Sequence, residues 1–166
     1  MGEKKVELSH EGGMRFVART TSGHDVVVDN AAGNSGPRPT ELVLAAIAGC
    51  TAMDVVDIMA KKRQAVDGYS VEVSGSQRDQ PPNVFTDITV VHTIRGNVDA
   101  AAVIRSIELS ATKYCTVSAQ LATGVARISH RYVIERPGGS GASPSRETGE
   151  VVVTGPDLEI AAGSPS

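Results

Sequence analysis

Two side chains in this sequence have the soft, redox-active chemistry of a nucleophile: Cys50, in AAIAGCTAMDVV, and Cys115, in KYCTVS. They are the only two cysteines in 166 residues. A free cysteine usually packs as a small hydrophobe, and the apolar neighbours of Cys50 suit that role. The helical spacing argues the other way, because Thr51, Asp54, Asp57 and Lys61 form a polar strip and Cys50 lies one turn before Asp54, at its edge. The sulfur there can face a cleft. A carboxylate one turn away disfavours a thiolate, so a reactive Cys50 needs a positive charge from elsewhere in the fold. Cys115 stands at a junction between two helical segments, where the unpaired N–H groups of a new N-terminus favour a thiolate. By local sequence alone it is the easier thiolate, against the plain alternative of a buried junction residue.

Other chemistries find no support. His10, His24, His92 and His130 are isolated, without CxxC, HxH or HExxH spacing, so neither a metal site nor a bound cofactor is expected. There is no glycine-rich phosphate loop and no G-x-S-x-G elbow. The net charge of −3 and the scattered Lys and Arg give no basic surface for nucleic acid or an anionic membrane. The opening MGEKKVELSH lacks the apolar core of a signal peptide, and Asp54 and Asp57 interrupt the apolar run 42–60. A cytoplasmic protein is expected, and two distant cysteines in a reducing compartment are more often reactive than structural.

The elements that position the thiols follow from periodicity. Residues 3–9, 14–20 and 24–29 read as an antiparallel meander with a turn at TTSGHD. After the loop NAAGNSGPRP, Pro39, Thr40 and Glu41 open a helix to about Arg63 that is apolar almost all round and reads as a buried spine. YSVEVSG and VFTDITVVHTI flank DQPPN as a second hairpin. Asn97 or Asp99 caps a helix to about Thr112, a break at KYC leads into TVSAQLA, and VARISHRYVIE closes as a strand. The order βββ-α-ββ-αα-β predicts an α+β domain over 1–136. Of the last 30 residues 15 are Gly, Pro or Ser, so 137–166 reads as a disordered tail, with EVVVTG and DLEI its only candidates for local pairing.

PRPTELVLAAIAGCTAMDVV followed by SATKYCTVS resembles the OsmC/Ohr family of osmotically inducible and organic-hydroperoxide-resistance proteins, over roughly residues 3–135. The resemblance implies an OsmC-like fold, with antiparallel sheets around long central helices in an intertwined homodimer whose active sites lie at the subunit interface. It also implies a thiol peroxidase in which Cys50 attacks a small hydroperoxide and the sulfenic acid condenses with Cys115. In the family an arginine held by a glutamate favours the thiolate, and an external dithiol, such as a lipoyl group on a partner protein, reduces the disulfide. Here the positions depart from the pattern. Thr40 follows the proline and Glu41 comes one residue later, Met14 stands where the arginine is expected with Arg15 beside it and Arg19 on the same stretch, and Thr116 follows the second cysteine.

Two functions therefore compete. One is a two-cysteine hydroperoxide reductase using Cys50, Cys115, Arg15 and Glu41. The other is a divergent, non-enzymatic ligand-binding or redox-sensing dimer that keeps the fold and both thiols.

Overall fold

The computed structural model describes residues 3–124, 127–138 and 143–154. It forms two compact units, one up to Ala45 and one from Ala46 onward, where the sequence predicts a single domain over 1–136. The first unit is the expected meander of β1 (Val6–His10), β2 (Phe16–Thr20) and β3 (Asp25–Val28), paired antiparallel in the order β1-β2-β3. Every side chain of β1 is exposed, and Ala18 is the one buried apolar residue described in this unit. Too little apolar surface is present for a core of its own. Hydrogen bonding at the following loop compensates in part: buried Asp29 accepts from the Ser35 hydroxyl at 2.6 Å, the Ser35 amide at 3.0 Å and the Asn30 amide at 2.7 Å. Those donors hold the Asp29 carboxyl below the usual carboxylate range, the Ser35 hydroxyl most strongly.

Helix α1 (Pro39–Lys61) begins in the first unit and continues through the second. Its start has the chemistry of a capping box: Pro39 takes the first helical position, and Glu41 reaches back to accept from the Arg38 amide at 2.9 Å. Within the second unit α1 buries the stripe Ile47, Thr51, Val55 and Met59, spaced four residues apart. The buried spine expected from its composition is thus buried on one side only. Met53, at 76% exposure, and Val56, at 50%, face outward.

The second unit carries β4 (Ala65–Gln77), β5 (Phe85–Asn97), α2 (Ala100–Leu109), a π-helical turn at Ser110–Tyr114, α3 (Thr116–Ala122), β6 (Arg127–Arg136) and β7 (Ser145–Thr154). The sheet order is β4-β5-β6-β7, and β5 and β6 run parallel because the chain between them crosses over through α2 and α3. The sheet is therefore mixed. Asp99 caps α2, its carboxylate accepting from the Ala101 amide at 3.1 Å. The core joins Val55 and Met59 of α1 to Val103 and Ile107 of α2 and to Ile94, Tyr132 and Ile134 of the sheet. That packing holds α1 together with α2, the helix that leads into the turn before Cys115.

Strand β7 corrects the expectation of a disordered tail after residue 136. Nine of its ten residues pair antiparallel with β6, Val151 being passed over at a register shift, Val152 is buried, and Glu147 accepts from Tyr132 at 3.2 Å and Arg136 at 3.1 Å. Gly149 lies so close to Tyr132 that an added Cβ would stand 2.7 Å from its ring. The glycine that looks like tail composition is a packing requirement. DLEI lies outside the described residues. Truncation after Arg136 strips β6 of its neighbour and leaves an open sheet edge, so thermal unfolding of the truncated chain is expected about 10 °C lower. An unchanged melting temperature would show that β7 adds nothing.

Candidate functional site

Cys50 comes from the middle of α1 and Cys115 from the residue where the π-helical turn ends, with Cys115 N–H donating to the Ser110 carbonyl at 2.8 Å. The turn carries one more residue than α-helical geometry would, and this sets where the second cysteine emerges. The two Sγ atoms and a carboxylate oxygen of Asp54 all lie within 4.8 Å of one another. Cys50 is half-buried, whereas Cys115 is only 2% exposed.

Two serines shape this cluster. Cys115 is the N-cap of α3, and its Sγ accepts from the Ser118 hydroxyl at 3.1 Å and the Ser118 amide at 3.4 Å. Burial pushes the Cys115 thiol up, Ser118 offsets part of that rise, and the neighbouring Cys50 adds to it. The helix start expected at Cys115 is present, but burial outweighs it. The Ser110 hydroxyl donates to Asp54 Oδ2 at 2.9 Å, leaving its own oxygen to accept from Thr51 Oγ1 at 3.0 Å. Thr51 and Asp54 of the expected polar strip thus turn inward, while Asp57 pairs with Lys61 on the surface. A cleft of about 420 Å³ opens beside Asp54, walled by Asp57, Ile58, Lys61, Leu109 and Tyr114.

The other two expected residues belong to the first unit and take different partners there. Arg15 donates to Glu11 at 3.0 Å and to Ser35 at 2.8 Å, and Arg19 forms a bidentate pair with Asp25 at 2.8 Å. Glu41 accepts from the Arg38 amide and guanidinium, and the amide contact is the main cause that holds its carboxyl below the usual range. Glu41 is thus committed to the helix start, and Glu11 and Ser35 hold Arg15.

Residues 32–129 match the family described as OsmC-like protein. The chain belongs to the OsmC-like family. Protein YhfA of Escherichia coli (strain K12) is 38% identical to this OsmC-like protein over 123 residues, covering 74% of this chain and 91% of that one. A hypothetical protein from Aquifex aeolicus VF5 superposes with a TM-score of 0.72 at 28% identity, over 82% of this chain and 98% of that one. The organic hydroperoxide resistance protein OhrB of Bacillus subtilis shares the fold at a TM-score of 0.54 and 17% identity, over 77% of this chain and 97% of its own.

Sequence reasoning on this OsmC-like protein missed Ser110 and Ser118. The signal for Ser118 is present, since CTVS places a hydroxyl three residues after an N-cap. Ser110 carries no such signal, because the wide turn that brings it opposite Asp54 has no sequence signature.

Proposed function

We propose that this OsmC-like protein is a thiol-dependent reductase of organic hydroperoxides. The observation that carries the reading is the placement of a half-buried Cys50 Sγ within 4.8 Å of a buried Cys115 Sγ. A nucleophile must meet its substrate, and Cys50 is the more accessible sulfur. Its thiolate attacks one peroxide oxygen, the O–O bond breaks, and the alkoxide leaves as an alcohol after taking a proton. Cys50 is then a sulfenic acid. Cys115 attacks that sulfur and water departs, leaving a disulfide. The two sulfurs close by at most about 2.8 Å to reach a bond of about 2.05 Å. An external dithiol, of lipoyl type, returns both thiols by exchange.

The working unit in this proposal is a cytoplasmic homodimer. By length and mean hydropathy, 1.9, α1 would suffice to cross a membrane. Its Asp54 is nevertheless tied inside the protein and its lower face is core. On the outward face Ala46, Gly49, Met53, Val56 and Ala60 recur at alternating spacings of three and four, and a Cβ on Gly49 would meet nothing within 4 Å. In this proposal that face is the seam of a helix pair. Sedimentation at micromolar concentration is expected to give twice the chain mass of 17.2 kDa; a folded monomer would refute it.

One observation favours the redox-sensing alternative: the carboxylate of Glu41 is spent on capping α1. Steady-state consumption of cumene hydroperoxide with a lipoyl dithiol separates the two. Sustained turnover supports the reductase, and oxidation that stops at one equivalent per chain supports the sensor.

A further inference from the structure

We propose that the reduced protein binds one Zn²⁺ between Cys50 Sγ, Cys115 Sγ and a carboxylate oxygen of Asp54. Cys50 and Asp54 stand four residues apart on α1 and so project from one face, and the π-helical turn delivers Cys115 to that face from a different element. The three donor atoms already lie within 4.8 Å of one another. Bonds of about 2.3 Å to sulfur and about 2.1 Å to oxygen around a tetrahedral ion put such donors roughly 3.5–3.8 Å apart. The closure required is on the order of one ångström, within the reach of side-chain torsions.

The donor set selects the metal. Two sulfurs and one carboxylate suit a borderline-soft divalent ion, whereas magnesium and calcium take oxygen throughout. The surroundings are those of a supported site. Ser118 gives two hydrogen bonds to Cys115 Sγ, and the Ser110 hydroxyl orients Asp54 while leaving it lone pairs to spare. Three protein ligands leave a fourth position to water, as in zinc sites that stay open to exchange. On binding, each thiol releases its proton to solvent and the ion takes up the two thiolates and the carboxylate. Zinc and peroxide then compete for the same sulfurs, and a Cys50–Cys115 disulfide has no thiolate to offer.

The inference stands on the three donors and holds or fails apart from the reductase reading. The experiment uses the full chain, reduced and made metal-free under anaerobic conditions, titrated with Zn²⁺ against a chromophoric chelator and separately with Co²⁺. One ion per chain at sub-micromolar affinity is expected, with the cobalt form showing sulfur-to-metal charge transfer and tetrahedral d–d bands. Asp54→Asn is expected to weaken zinc at least about tenfold while both thiols still react with a disulfide reagent. Cys50→Ser and Cys115→Ser, each with the circular dichroism of the parent, are expected to lose the two-sulfur spectrum. Absence of binding at micromolar zinc, or binding that survives the cysteine substitutions, would overturn the proposal. Turnover of hydroperoxide by the metal-free chain, measured in the same preparation, reports on the reductase reading independently.

Discussion

Cys50→Ser is expected to lower kcat/KM for organic hydroperoxide by on the order of a thousandfold, with the fold intact, because serine at the same place is a far weaker nucleophile and leaves no thiolate. Cys115→Ser behaves differently. In the proposed mechanism Cys115 enters only after the O–O bond has broken, so this variant is expected to retain the reduction of the first equivalent and to lose disulfide formation. The asymmetry follows from burial. Cys115 is 2% exposed and its thiol is raised by that burial, whereas Cys50 is half-buried. Equal loss of the first equivalent in both variants would contradict this division of labour.

The second large effect concerns acid. His92 on β5 and His130 on β6 are fully buried, with ring centroids 5.8 Å apart. Tyr69 hydrogen-bonds His92 Nδ1 at 2.6 Å, but His92 Nε2 and both nitrogens of His130 have no partner among the described residues. Burial pushes His92 down to about 3, with His130 adding a smaller repulsion, and burial alone pushes His130 down to about 4. Above the ordinary histidine value of about 6.5 neither state binds these protons, so stability there does not depend on them. Below it the unfolded chain takes up two protons that the folded chain refuses, and stability falls as pH falls, until the folded-state values near 4 and 3 are reached. Each histidine contributes a slope of up to about 1.4 kcal/mol per pH unit, which gives a loss of about 5 kcal/mol by about pH 4.5. That is comparable to the whole stability of many domains. Denaturant unfolding between pH 7 and 4.5 checks it: His130→Leu is expected to halve the slope and to be at least as stable as the parent at pH 5. An unchanged slope would mean that the pair is hydrated or already charged in the folded protein.

These histidines also show where sequence reading stops. Each looks isolated along the chain, and only the parallel register that sets Val90 opposite His130 and His92 opposite Tyr132 makes them neighbours. That register depends on a crossover through two helices, which periodicity does not encode. The meander, the long helix, the cap at Asp99 and the break before TVSAQLA were all legible, because local pattern and turn chemistry decide them. Strand β7 was legible only in part: EVVVTG stood out as a candidate for pairing, but averaging composition over 30 residues masks a ten-residue strand between glycine- and proline-rich flanks. At the site, the i, i+4 relation of Cys50 and Asp54 was readable from helical spacing. The approach of Cys115 to that face was not, and it entered only through family resemblance. The donor set proposed for zinc was not legible for the same reason, since motif spacing cannot join residues of α1 to a residue at the start of α3.

The central claim is that Cys50 is the sulfur that reacts with peroxide. Reduced Cys115→Ser protein, given one equivalent of cumene hydroperoxide in the presence of dimedone and digested for mass spectrometry, tests it directly. A dimedone adduct confined to the Cys50 peptide, formed much faster than on a free exposed cysteine, is the expected result. A Cys50 that remains a thiol after the hydroperoxide has been supplied would contradict the account and return that residue to the core.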